Sequence, residues 1–252
     1  MITSLQNERV KLAHGLVIGT KSRRKLGKIA LEGVRLIHDA LEAGYLPEFI
    51  LYDPEIFPDP AVFNLSDEVA FPVSSEIIRH VSGTEHPQGV IGVFPLPSPS
   101  IPPALQRVLI LDAISDPGNL GTILRTAAAA GVELVLLAPG CVDPYNDKVL
   151  RGGMGAHFRV PVINQSWEKI AQTCANLTVY LAEMSGDLAY DAADWSHGWA
   201  LIIGSEAHGA SEAAAALARQ RIYIPMAADT ESLNAASATA VILFEAARQE
   251  RG

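Results

Sequence analysis

From residue 105 onward the sequence repeats one pattern: a short, uninterrupted apolar run, a polar turn rich in glycine or proline, then a helical stretch. RVLILDAI leads into NLGTILRTAAAAG, WALIIG into an alanine-rich stretch near 211 to 220, and RIYIPM into LNAASATAVILFEAARQ, with VELVLLA and LTVYLAEM between them. Runs that are apolar at every position, and not at alternate ones, belong to strands covered on both faces, which is what a parallel sheet with helices on each side produces. The region 105–252 is therefore predicted to be an α/β domain, doubly wound.

Upstream the pattern changes. Residues 94–104, FPLPSPSIPPA, carry five prolines, which fix φ and remove backbone donors, so the segment reads as an extended linker. It separates residues 1–93 from the second domain, and both pieces have ordinary domain sizes. In the first piece Val34, Ile37 and Leu41 recur at helical spacing, with Gly44 where a helix end favours a left-handed residue. PEFILY and GVIGVF read as strands, so this piece is predicted to be a small α/β unit.

Composition bounds the function. The chain of 252 residues is 49% hydrophobic, enough for a packed core in each domain without disulfides or metal. Cys141 and Cys174 lie too far apart for a CxxC motif and read as buried thiols in a reducing cytoplasm. No apolar run reaches the roughly 18 residues of a membrane helix, and charges interrupt MITSLQNERVKLAHG where a signal peptide would be apolar. The net charge of −9 opposes binding to phosphates, yet residues 1–35 carry Arg9, Lys11, Lys21, Arg23, Arg24, Lys25, Lys28 and Arg35 against Glu8 and Glu32. That end holds +6 and leaves −15 for the rest, which suits it to an anionic partner.

Ligands of open parallel sheets sit where strands end and helices begin, so the turns hold the candidate chemistry. In Asp116-Pro117-Gly118-Asn119-Leu120-Gly121, Asn119 is placed to cap the following helix and Gly131 to end it. Arg125 stands four residues after Gly121 on the same helix face. The turn Gly204-Ser205-Glu206-Ala207-His208-Gly209 follows WALIIG; its glycines allow a close ligand, while Glu206 also suits a helix N-terminus. His208 has no metal-ligand companion at a suitable spacing. In the third turn, Ile224-Pro225-Met226 precedes Ser232-Leu233-Asn234: Ser232 reads as an N-cap, and Asn234, a poor helix former just inside, as a donor or acceptor to something outside the helix.

These residues carry a resemblance. NLGTILR (119–125), GSEAHG (204–209) and IPM with SLNAASATAVILFEAARQ resemble, in order and spacing, the three motifs of the SpoU, or TrmH-like, RNA ribose 2'-O-methyltransferases of the SPOUT superfamily. RGGMGAHFRVPV also fits, and KSRRKLGKIALEGVRLIHDAL with His86-Pro87-Gln88-Gly89-Val90 looks like the ribosomal-protein-L30e-like RNA-binding domain many members carry. Alanines at 235 and 236 replace the valine common in members. The resemblance implies a C-terminal SPOUT α/β domain tied in a trefoil knot, an exception to unknotted connectivity. It also implies S-adenosylmethionine as cofactor, a homodimer, and RNA, ribosomal more than transfer, as partner. By the same resemblance Gly204, Ile224 and Leu233 hold the cofactor, with Met226 nearby, and Asn119, Arg125, Glu206, Ser232 and Asn234 line the reacting end.

Proposals for this family make the arginine a general base. A guanidinium remains protonated in proteins, so Arg125 is read instead as the cation that stabilises a developing alkoxide or anchors the adjacent phosphate. Arg23, Arg24, Lys25 and Lys28 are the expected RNA contacts, and the 2'-hydroxyl itself excludes DNA. Two alternatives come from other classes: a non-catalytic RNA-binding protein that keeps the fold, opposed by the five polar residues retained at separate loops, and a dinucleotide-dependent oxidoreductase, opposed by the lack of a G-x-G-x-x-G after any predicted strand.

Overall fold

The computed structural model describes residues 1–66, 68–205, 209–227 and 232–251. The chain divides into two compact units, Met1–Ser98 with Tyr145–Phe158, and Pro99–Pro144 with Arg159–Gly252.

In the first unit, helices α1 (Glu8–Ile18) and α2 (Thr20–Leu26) lead into a sheet built of β1 (Lys28–Glu32), β2 (Phe49–Tyr52), β3 (Ala70–Pro72) and β4 (Val90–Pro95). Helix α3 (Val34–Glu42) follows β1, and α4 (Ser75–Val81) follows β3. The strand order is β1-β4-β2-β3, with β4 antiparallel to both its neighbours and β3 parallel to β2. Period-2 alternation sends Ala30, Phe49, Leu51, Ile91 and Val93 to one core with α1 and α4. The intervening Ile29, Leu31, Ile50, Val90 and Phe94 go to another with α3. Both faces are covered, so these strands too read as continuous apolar runs. Gly44, at φ +84, ends α3 as the sequence predicts. Strand β4 continues through Pro95, which makes Phe94 a core residue and starts the proline-rich stretch later than the sequence suggests.

In the second unit the chain runs through β5 (Arg107–Leu111), α5 (Pro117–Ala129) and β6 (Leu134–Leu137). The stretch Tyr145–Phe158, with α6 (Asp147–Gly153), belongs to the first unit, where Tyr145 and Leu150 are buried beside α3 and β1. The sequence pattern alone assigns this stretch to the second domain; apolar spacing does not say which core a segment joins. The second unit resumes with β7 (Val162–Asn164), α7 (Trp167–Thr173), β8 (Thr178–Ala182), β9 (Leu188–Ala189) and β10 (Trp199–Ile203). It closes with α8 (Glu212–Leu217), β11 (Gln220–Tyr223) and α9 (Ala235–Gln249).

The seven strands order as β7-β6-β5-β10-β8-β11-β9, and every pairing among them is parallel. One core packs Val108, Ile110, Leu136, Leu181 and Ile202 against α7 and α8. Helices α5 and α9 pack on each other and bury Leu120, Ile123, Leu124, Ile242 and Leu243. This is the doubly wound α/β arrangement that the apolar runs predict. Its central pair, β5 and β10, is far apart in sequence, so the turns after those strands emerge side by side.

Candidate active site

The parallel sheet points the C-terminal ends of its strands toward one edge, and the turns there enclose a cavity of about 530 Å³. Gly204, Ser205, Gly209 and Ala210 contribute one wall from the turn after β10, and Ile224 and Met226 a second after β11. Ser232, Leu233 and Asn234 contribute a third at the start of α9, and Ala182 to Met184 close it after β8. Of the residues singled out in the sequence, Gly204, Ile224, Met226, Leu233, Ser232 and Asn234 thus share one cavity. Glu206 lies outside the described residues.

Gly204 owes its identity to space. A Cβ there would stand 2.7 Å from the nitrogen of Ala210 and from the carbonyl carbon of Gly209, both backbone atoms that cannot swing aside. Ser205 and Gly209 pair with each other, the Ser205 N–H donating to the Gly209 oxygen at 3.0 Å and the Gly209 N–H to the Ser205 oxygen at 2.8 Å. The backbone of residue 204 is therefore free to meet a ligand without a side chain in the way.

The helix caps differ from the sequence expectation by a few residues, and the difference matters. Asp116, not Asn119, caps α5: its Oδ1 accepts the Asn119 N–H at 2.7 Å, and Pro117 fixes the first helical residue. Asn119 lies inside the first turn and is not the cap. On α9 the cap is Asn234 and not Ser232, because Asn234 holds a non-helical backbone while its Oδ1 accepts from Ala236 N at 2.9 Å and Ser237 N at 3.3 Å. The Asn234 Nδ2 then donates to Asn119 Oδ1 at 3.0 Å. The polar side chain does reach outside its helix, from a capping position. Ser232, exposed on the cavity wall, serves no cap.

Arg125 is exposed on α5 and is not among the described residues of the cavity wall. Glu183 is, and sequence reasoning passed over it; its Oε1 accepts from Arg221 Nη1 at 2.8 Å. The signal that would have found it is the rule already applied elsewhere, since Glu183 directly follows the end of an apolar strand run. Cys141 donates to the Leu111 carbonyl at 3.2 Å, and burial pushes its thiol up to about 11, as it does that of Cys174.

In the first unit the basic segment splits into different fates. Arg23 is 2% exposed, and its guanidinium donates to the carbonyls of Leu16 at 2.6 Å and Val17 at 3.2 Å and to Thr20 Oγ1 at 3.0 Å. It ties the end of α1 to α2 and is removed from the phosphate-facing set, because the last carbonyls of a helix need donors. Lys28 is ion-paired with Glu48 at 2.5 Å. Arg24 and Lys25 are exposed, as is Lys21.

The model of the SpoU rRNA Methylase family matches residues 106–244, and that of the MRM3-like substrate binding domain matches residues 7–92. The mouse protein "rRNA methyltransferase 3, mitochondrial" is 36% identical over 91% of this chain and 69% of its own length. The Bacillus subtilis protein "23S rRNA (guanosine(2553)-2'-O)-methyltransferase RlmP" is 31% identical over 96% of this chain and 97% of its own. The SpoU methyltransferase AviRb from Streptomyces viridochromogenes, solved in complex with AdoMet, aligns at a TM-score of 0.89 and 26% identity, covering 98% of this chain and 99% of that one. The family match covers more than half of the sequence and takes in all three turns of the cavity, so the chain belongs to the SpoU rRNA methylase family.

Proposed function

We propose that this chain, an S-adenosylmethionine-dependent RNA ribose 2'-O-methyltransferase, acts on ribosomal RNA, with the cofactor in the cavity after β8, β10 and β11 and the Asn119–Asn234 pair at its reacting end. The observation that carries the reading is the convergence of three distant turns on one cavity, joined to α5 by the 3.0 Å hydrogen bond between the two asparagines. The cavity fits the cofactor: its volume lies in the small-molecule range, and Ile224, Leu233 and Ile203 give an apolar wall. Backbone groups around Gly204 and the side chains of Glu183, Ser232 and Asn234 supply the polar contacts that fix orientation.

When bound, the cofactor supplies a methyl group activated by a sulfonium. The chain's own residues then have to position a ribose hydroxyl, a weak nucleophile until its proton leaves, and stabilise negative charge on it. Asn119 and Asn234 hold each other and fix the approach to the cavity, with Ser232 beside them. Arg125 serves as the cation for the developing alkoxide or the neighbouring phosphate, a role its permanent charge suits better than that of base.

The remaining elements of this reading are the family's trefoil knot in the C-terminal domain and a homodimer. Val241 and Phe244, exposed on α9 at 37% and 48%, offer a second copy an apolar face. No described helix is long and apolar enough to cross a membrane. The unpaired thiols Cys141 and Cys174 support a reducing compartment, which we take to be the cytoplasm.

Mass-spectrometric mapping of 2'-O-methyl nucleotides in total RNA, with and without the protein, tests the substrate. Loss of a single ribosomal mark is expected; an unchanged ribosomal map alongside a lost transfer-RNA mark would overturn the ribosomal assignment.

A further inference from the structure

The turn after β10 is held from below by a residue that the cofactor reading does not use. Asp112 directly follows β5, is 2% exposed, and its Oδ2 accepts the backbone N–H of Ser211 at 2.6 Å. Ser211 is the residue that follows the cavity-lining Gly209 and Ala210 and caps α8 through its own Oγ, which accepts Ala214 N at 3.2 Å. A carboxylate this deeply buried is unfavourable unless strong donors meet it, and a charge-assisted bond of this length is such a donor.

The corner that presents Asp112 is built and strained. Its own N–H donates to the Ile203 carbonyl at 2.9 Å, at the end of the strand that leads into the cofactor turn. The next residue, Ala113, takes the left-handed conformation at φ +54, which an alanine adopts only when its surroundings impose it. Around it, the Ala138 N–H donates to the Leu111 oxygen at 2.9 Å and the Val142 N–H to the Ile114 oxygen at 2.9 Å, stitching the corner to the segment after β6. Four residues beyond Asp112, Asp116 caps the helix that carries Asn119 and Arg125. One strained corner thus launches the helix of the proposed reacting residues and, through a buried carboxylate, grips the far end of the cofactor turn.

We infer that Asp112 is a positioning residue for S-adenosylmethionine binding: its carboxylate, through the Ser211 N–H, fixes the adjoining Gly209 and Ala210 in their place on the cavity wall. It touches neither cofactor nor substrate and acts only through that turn. The inference rests on the cofactor reading given above.

The test pairs two ends of one hydrogen bond. Asp112→Ala removes the acceptor; Ser211→Pro removes the donor, at a φ of −69 that proline matches; Ser211→Ala keeps the N–H and loses only the Oγ cap. Calorimetry with S-adenosylmethionine should show Kd raised by about tenfold to hundredfold in Asp112→Ala and in Ser211→Pro, and by less than about fivefold in Ser211→Ala. The double variant Asp112→Ala/Ser211→Pro should lose no more than the worse single variant. In the cofactor-free protein, the Ser211 amide should exchange hydrogen about tenfold faster or more in Asp112→Ala, while RNA binding at low salt stays at the unmodified level. Wild-type affinity in Asp112→Ala or in Ser211→Pro would overturn the inference, as would equal losses in the two Ser211 variants. If Asp112→Ala does not fold, the two Ser211 variants decide. If the unmodified protein itself fails to bind S-adenosylmethionine, it is the cofactor reading that falls, a result distinct from normal binding by both protein and variants.

Discussion

The turns of the parallel sheet and the basic segment of the first unit were marked by equally simple sequence features, yet they behave differently in three dimensions. At the turns, six of the residues singled out line one cavity. In the basic segment, Arg23 is buried, Lys28 is paired with Glu48, Arg9 lies 4.0 Å over the Phe71 ring, and Arg24, Lys25 and Lys21 face solvent. The turns are placed by the backbone: once strands are parallel, their C-terminal ends meet whatever the side chains are. A charge run fixes no direction, so each basic side chain finds its own nearest carbonyl, carboxylate or ring.

That contrast can be pressed experimentally. The largest effect is expected at Arg125: Arg125→Ala should lower kcat by about a hundredfold to a thousandfold, the range for removing one charge stabiliser, with cofactor Kd unchanged. Arg125→Lys should recover little, because an ammonium lacks the planar fork; full activity there would remove the requirement for a guanidinium. Gly204→Ala comes next. Its Cβ would overlap backbone, so about 3 kcal/mol of strain is expected, close to a hundredfold in cofactor affinity by calorimetry.

The first unit should respond in stability where the second responds in binding. Arg23→Ala leaves two carbonyls and a hydroxyl without their donor and should cost about 2 kcal/mol in denaturant unfolding, with the salt slope of RNA binding unchanged. Replacing Lys21, Arg24 and Lys25 together by alanine should do the reverse, flattening the plot of log K against log salt by about 2 while stability stays put. An unaltered slope would mean that the RNA meets another face. The last effect is in pH. Burial raises both thiols to about 11, above the usual value for a free thiol. The unfolded chain therefore releases these protons first as pH rises, and stability should fall between pH about 9 and about 11 and not below. Cys141→Ser with Cys174→Ser should blunt that fall.

Much of the fold was legible because continuous apolar runs have one common explanation, strands covered on both faces, and both units obey it. The helix starts were less legible. Asp116, Asn119, Ser232 and Asn234 are all good caps by type, and only backbone φ and ψ decide among candidates a turn apart. Of the residues that line the cavity, Gly204 stood out as a strand-end glycine and Ile224 and Leu233 through the family resemblance, whereas Glu183 carries no motif and was passed over. Arg23 was misjudged because a formal charge says nothing about which way a guanidinium points.

The stretch Tyr145–Phe158 has a consequence for how the molecule is made. Tyr145 and Leu150 are buried in the first unit's core, yet β5, α5 and β6 of the second unit precede them in the chain. A ribosome releasing this chain from its N-terminus therefore emits almost the whole first unit and must then synthesise part of the second before the missing wedge arrives. A fragment ending at Ser98 would lack the segment that covers this core and would expose the apolar surface that Tyr145 and Leu150 bury.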